Sequence, residues 1–337
     1  MKVSTKMLAL SALSLALVAA APVAMAAVIA DLPIPVKPAK PYHFDLITKS
    51  NASPYWLAVR DGADAAAKKF GVSVSFTAPV SGLDLAAQIA MVDNAVTAKP
   101  AGIILAAQNP KALLGPVRNA LNHHIPLVTV DSGVSPNISD CFLATSNIKA
   151  AAHLAEYTAV HLMHKKGQYA IIDYNHTSST GIERPAGFMK GMKAYPSIQK
   201  MGPIQYADNS VSKGIRITND LLTQYPKLKV IYGANDRSAL APAEAIARTH
   251  SKVRVVGFDA DLGEIKYIKN GTIQASILQA PYDMGYYAVV ALLDKIAGKA
   301  IPKRIATPYM LVTPHNVNTK QATKMIQQYI PAYKQTA

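Results

Sequence analysis

Short β-forming runs alternate with amphipathic helical runs along this chain, and that alternation restricts the fold more than any other feature. The β-forming runs are His43–Thr48, Val72–Thr77, Gly102–Ala106, Leu127–Val130, Tyr169–Asp173, Lys229–Ala234, Val253–Phe258 and Thr272–Leu278. Ile103-Ile104-Leu105 and Leu127-Val128-Thr129-Val130 are almost wholly apolar, as strands covered by helices on both faces must be. Between them lie helical patterns at Tyr55–Phe70, Leu83–Ala98, Lys111–His123, Ile148–Lys165, Pro185–Ala194, Ser212–Gln224, Ser238–Thr249 and Met284–Ala297. A chain built this way forms parallel sheets from right-handed βαβ units. Its length suits two doubly wound α/β lobes rather than one.

The first residues belong to neither lobe. Lys2 and Lys6 precede an uncharged run from Met7 to Val18, and Ala24-Met25-Ala26 supplies a small-x-small cleavage pattern. Residues 1–26 are therefore expected to be a secretory signal, cut before Ala27. Pro22 interrupts the apolar run before it reaches the roughly 20 residues that a membrane span needs. Residues 27–41 carry Pro33, Pro35, Pro38 and Pro41, the composition of an extended leader. Export to the periplasm follows from the signal.

Cys141 is the sole cysteine, so no internal disulfide is possible and stability must come from a core. In a strand-like run it reads as a buried small apolar residue. The net charge is +15, yet the basic residues are spread singly or in pairs without a block or stripe. Nucleic acid is therefore not the expected partner, and solubility with mild attraction to an anionic membrane surface is. His153, His161 and His164 share a helical stretch but no carboxylate completes a metal set. No G-x-S-x-G, Walker or H-E-x-x-H motif occurs, and neither metal nor other cofactor is expected.

Ligands of open α/β sheets bind beyond the carboxyl ends of strands. Here those ends run into Lys49 and Ser50, Gln108, Asp131, Asn235 and Asp236, Asp259, and Gln279. Carboxylates and amides gathered at matching strand ends suit a polyhydroxylated solute, whose buried hydroxyls each need donors and acceptors.

Six segments, in order and spacing, resemble the periplasmic sugar-binding proteins of the ribose and galactose type, which serve ABC importers. They are Ser53-Pro54-Tyr55-Trp56 with Asp61-Gly62-Ala63; Ile125 to Asp131; Glu183-Arg184-Pro185-Ala186-Gly187-Phe188; Asn235 to Leu240; Val256-Gly257-Phe258-Asp259; and Gln279 to Gly285. The resemblance implies two similar lobes joined by three crossing strands, with a ligand cleft between them. It puts 42–145 plus 280–309 in the N-terminal lobe and 146–279 plus 310–337 in the C-terminal lobe and tail. It implies stacking by Tyr55 and Trp56, hydroxyl binding by Asp131, Asn235, Asp259 and Gln279, and a second-lobe arginine in Arg184. It also implies a sugar or polyol as ligand, an ABC permease as partner, a chemoreceptor as a further one, and a monomer without catalytic activity. Three positions depart from the ribose pattern. Ser132 stands where arginine follows the aspartate, Asn209 near another aromatic position, and Lys49 at a small polar one. They keep the site's charge but move it, which points away from ribose itself.

Blander readings fit some of these residues. A lone tryptophan is commonly a core residue, aspartates cap loops, Arg184 has Glu183 beside it as a surface partner, and exposed lysines at strand ends are ordinary. A furanose-type signalling molecule is the alternative ligand. An exported sugar-modifying enzyme working through Asp131 and Asp259 is the remaining alternative.

Overall fold

The computed structural model describes residues 38, 40–80, 84–259, 261–329 and 333. The expected signal peptide, nearly all of the leader, and Leu83 lie outside them. The elements in chain order are β1 His43–Ile47, α1 Pro54–Phe70, β2 Ser73–Thr77, α2 Leu85–Ala98, β3 Gly102–Leu105, α3 Leu114–Asn122, β4 Leu127–Val130 and β5 Cys141–Thr145. There follow α4 Asn147–Tyr157, β6 Gly167–Asp173, α5 Ser179–Met192, β7 Ile198–Lys200, β8 Gln205–Tyr206, α6 Val211–Gln224, β9 Leu228–Gly233 and α7 Asp236–Thr249. The chain ends with β10 Arg254–Phe258, α8 Leu262–Lys269, β11 Ile273–Leu278, α9 Pro281–Ile296, β12 Arg304–Thr307, β13 Met310–Val312 and α10 Lys320–Tyr329.

Two sheets result. The first has the order β12-β5-β4-β3-β1-β2, and the second β13-β11-β10-β9-β6-β7 with β8 on β6. All pairings are parallel except β11 with β13. In both sheets the strand order reverses beside the first strand, the doubly wound pattern that opens a crevice at the carboxyl ends. β3 and β4 are buried at every position, as their unbroken apolar runs require. The chain passes between the sheets three times, at residue 146, at 279–280 and at 308–309.

Local chemistry sets the helix ends. Pro54 opens α1 in the first turn, where its missing N–H costs nothing, and Gly71 closes it at φ 72° in the left-handed region. α1 and α9 pack backbone to backbone, because a Cβ on Gly62 would stand 1.9 Å from the Tyr282 carbonyl oxygen and one on Gly285 1.8 Å from that of Val59. Cys141 is fully buried in β5, and burial pushes its thiol up to about 12, so it serves as a small core residue.

Several elements differ from the sequence expectation. The helix expected from Pro185 starts six residues earlier, at Ser179, because the Ser178 hydroxyl caps Gly181 N–H at 3.1 Å and Pro185 is carried inside the helix. The long helix Ile148–Lys165 is α4 followed by one π-helical turn, Thr158–Leu162. α8 and α10 were not anticipated. α10 follows a strand of the second sheet but packs against α1 and α9 of the first lobe, where the sequence reading grouped it with the second. Its apolar face, Ala322, Met325 and Ile326, joins the core beside α9.

Candidate functional site

A cavity of about 240 Å³ lies between the two sheets. Its walls come equally from both: Lys49, Ser53, Tyr55, Trp56, Gln108 and Asp131 from the first; Tyr174, Thr180, Arg184, Asn235, Asp236 and Asp259 among those from the second. Lys49 follows β1, Gln108 β3, Asp131 β4, Tyr174 β6, Asn235 β9 and Asp259 β10. Every one of these positions is a carboxyl end.

The two carboxylates hold comparable stations in their sheets. Asp131 has φ 60° and Asp259 φ 83°, a conformation that costs a residue with a Cβ about 1 kcal/mol or more and concentrates at functional sites. At Asp131 the cause is visible: Ser132 N–H donates to the Val130 carbonyl at 2.6 Å, a tight turn that throws the aspartate side chain into the cavity. There Asp131 accepts from Tyr55 Oη at 2.9 Å and Lys49 Nζ at 3.2 Å. Lys49 is braced from behind. The buried Gln88 amide donates to the carbonyls of Thr48 and Ala106 at 3.0 and 2.9 Å and accepts Gln108 N–H at 2.8 Å, tying the ends of β1 and β3 together.

Arg184 is the centre of the second wall. Its Nε donates to Asn147 Oδ1 at 3.0 Å, and Nη1 donates to the Ala234 carbonyl at 3.1 Å and to Asp259 Oδ2 at 3.2 Å. Its Nη2 stands 3.9 Å from Asp131 Oδ1 in the opposite lobe. The guanidinium lies 4.0 Å from the centre of the Phe258 ring, a stacking that suits its planar, weakly hydrated cation. Burial works against its charge, and Asp259, Tyr174 and Asp131 more than restore it, raising its pKa above the ordinary arginine value. Burial raises the Asp259 pKa, against the opposing pull of Arg184 and a hydrogen bond from Gln279. Asp236 is pushed up to about 7 by burial and by the neighbouring Asp259 and Asp261.

Trp56 meets Tyr55 edge-on, with centroids 4.9 Å apart at 78°, and Lys49 Nζ is 5.5 Å from the indole centroid. Asn235 donates to Asn209 at 3.0 Å while its own oxygen caps Ser238 N–H at 3.0 Å, so Asn209 is brought to the cavity by Asn235. Eight of the expected residues line the cavity: Lys49, Tyr55, Trp56, Asp131, Arg184, Asn209, Asn235 and Asp259. Ser132 and Gln279 stand behind its wall. The Ser132 hydroxyl is turned to the Ala107 carbonyl at 2.8 Å, and the Gln279 amide donates to Asp259 Oδ1; both are buried. Tyr174, Asn175, Thr180, Asp236 and Arg237 also line it. The strand-end rule would have found Tyr174 and Asn175, because β6 ends at Asp173. Gln88 and Asn147 act only through distant contacts, and no local pattern marks them.

The charge balance limits the chemistry. Lys49, Arg184 and Arg237 face Asp131, Asp236 and Asp259, three cations against three carboxylates. A family model described as a periplasmic binding protein domain matches residues 44–300. The chain belongs to that family. Among relatives of this periplasmic binding protein, the D-allose-binding periplasmic protein of Escherichia coli is 28% identical over 80% of this chain and 89% of its own. An ABC transporter solute-binding protein from Agrobacterium vitis, solved with bound D-fucose, is 31% identical at a TM-score of 0.79, covering 83% of this chain and 98% of that one. A carbohydrate transporter solute-binding protein from Agrobacterium radiobacter, in complex with D-arabinose, is 29% identical at a TM-score of 0.81, covering 86% and 100%. This periplasmic binding protein therefore shares a two-lobed fold with proteins solved around different sugars.

Proposed function

We propose that this protein captures one neutral sugar or polyol ring between its lobes and delivers it to an ABC import permease. The observation that carries the proposal is the cavity's inventory: equal numbers of cations and carboxylates with an aromatic corner at Tyr55 and Trp56. Lys49 with Asp131, and Arg184 with Asp259, are already paired, and such pairs present hydrogen-bonding groups to hydroxyls without attracting an ion. About 240 Å³ is below the roughly 300–1,000 Å³ of drug-sized ligand sites, which favours a single ring over an oligosaccharide. The relatives that bind allose, fucose and arabinose support the ligand class. The crossings at 146, 279–280 and 308–309 form the hinge, and the solute biases closure by binding the closed state more tightly.

Hydroxyl binding also accounts for the two carboxylates better than catalysis does. Asp131 accepts from Lys49 and Tyr55, and Asp259 from Arg184 and Gln279, partners that orient both as acceptors for solute hydroxyls. The first 26 residues supply the export signal, and the mature monomer begins at Ala27 in the periplasm. Mass measurement of protein recovered from that compartment checks the cleavage point.

A thermal-shift screen of the mature protein against pentoses, hexoses, pentitols and hexitols tests the ligand class. A solute at ~100 times its dissociation constant adds about 2.7 kcal/mol, a rise of several degrees. No shift with any of them overturns the proposal. Trp56 is the sole tryptophan, so a bound solute must also change its emission.

A further inference from the structure

The second sheet carries its charge unevenly. The carboxyl ends of its strands face the cavity, and its amino ends, roughly 20 Å away along the strands, form the opposite pole. β10, β9 and β6 lie side by side there, entered by residues 250–254, 225–229 and 163–167. These three stretches hold Lys252, Arg254, Lys227, Lys229, Lys165 and Lys166, with His250 and His164. No aspartate or glutamate occurs at 157–172, 221–235 or 245–258. Among the described residues none of the six cations is ion-paired.

The three stretches touch one another. Lys229 Nζ donates to the Lys166 carbonyl at 3.1 Å, and Arg254 donates to the Leu162 carbonyl. Lys165, Lys166, Lys227 and Lys252 are exposed. Neighbouring strands are about 4.8 Å apart, so the backbones of the three stretches lie within about a Debye length of one another at 0.1 M salt and their potentials add. Complementing a helix C-terminus accounts for one cation per helix; each stretch here has two. None of the large exposed apolar side chains, Val80, Ile148, Ile182 and Leu262, lies in these stretches, so the pole has charge without an inserting wedge.

We propose that this pole adsorbs to the anionic face of a phospholipid bilayer, which holds the protein at the membrane with its cavity unobstructed. The partner's location rests on the export reading above. Five of the six cations are lysines, compact point charges on flexible stems, which suit a diffuse anionic surface better than a fixed bidentate partner.

The test is sedimentation of the mature protein with vesicles of phosphatidylcholine alone and of phosphatidylcholine with phosphatidylglycerol. Binding is expected only to the anionic vesicles, and it should disappear near 1 M salt, where the Debye length is about 3 Å. Combining Lys165→Glu, Lys166→Glu, Lys227→Glu and Lys252→Glu should weaken it on the order of 100-fold or more, at about fivefold per charge. A charge-matched variant, Lys68→Glu with Lys111→Glu, Lys149→Glu and Lys320→Glu, should lose no more than about tenfold. No binding by the unmodified protein, or an equal loss in both variants, overturns the proposal. Circular dichroism checks that both variants fold. Vesicle binding needs no solute, so this outcome is independent of the sugar screen.

Discussion

Asp173 gives the sharpest test of how this cavity wall is built. It ends β6, is fully buried, and accepts Tyr174 N–H at 2.7 Å through Oδ1, while Oδ2 has no partner among the described residues. Burial pushes its carboxyl from 3.8 up to about 8, against the opposing influence of the Tyr174 and Asn175 amides and of Arg184. The folded state therefore binds a proton that the unfolded state has released, and stability falls as pH rises between the two values. At about 1.4 kcal/mol per pH unit, raising the pH from 4 to 7 removes on the order of 4 kcal/mol. Asp173→Asn abolishes that dependence while keeping the acceptor for Tyr174. The variant should match the unmodified protein near pH 4 and exceed it by about 5 kcal/mol at pH 8. At ~2 °C per kcal/mol for a long chain, that is a rise of about 10 °C in Tm. Thermal unfolding followed by circular dichroism at intervals from pH 4 to 8 measures both. A variant less stable than the unmodified protein at pH 8 would refute the reasoning, since it would mean that Arg184 holds Asp173 ionised.

Arg184→Met removes the counter-charge of Asp259 and the cross-lobe partner of Asp131, so thermal unfolding should register a loss of about 3–5 kcal/mol and calorimetry at least a 100-fold loss of solute affinity. Tyr174→Phe removes a hydroxyl bonded to Ser178 at 2.6 Å and to Thr180; titration should show affinity falling about 3–10-fold with Tm nearly unchanged. Gly62→Ala and Gly285→Ala each force a methyl into a facing carbonyl in the α1–α9 contact, and each should cost about 3 kcal/mol or more, read as lost soluble yield or a Tm lowered by about 6 °C.

Strands with unbroken apolar runs were legible because burial on both faces leaves no alternative pattern. Leu127–Val130 is bounded identically in the sequence reading and in β4. β12 and β13 were not, since Arg304–Thr307 gains its identity only by pairing with Cys141–Thr145, far away in the chain. The site was legible through one rule, that ligands meet strand ends, and it picked out Lys49, Asp131, Asn235 and Asp259. The rule marks where the backbone goes and not where a side chain turns. It says nothing of Ser132, which the resemblance brought in and which the strained turn that aims Asp131 inward directs at Ala107. Nor could it reveal Gln88 and Asn147, whose roles depend on what the fold brings beside them.

Arg184 explains why selectivity and closure are one property here. It is anchored within the second lobe by Asn147, Ala234 and Asp259, and it reaches Asp131 of the first at 3.9 Å. At an effective dielectric of about 20 such a pair attracts by about 4 kcal/mol, yet desolvating two ions offsets most of that gain. The ion pair alone therefore does not hold the lobes together. A solute whose hydroxyls bond Asp131 and Arg184 at once satisfies the lone pairs and N–H groups that closure strips of water, and this tips the balance. A sugar acid or phosphate would compete with Asp131 and Asp259 for the same cations and leave a carboxylate unpaired, which is costly in a buried site. Neutral polyols are therefore expected to close the lobes and sugar acids and phosphates are not, a difference that calorimetry with paired neutral and charged analogues measures.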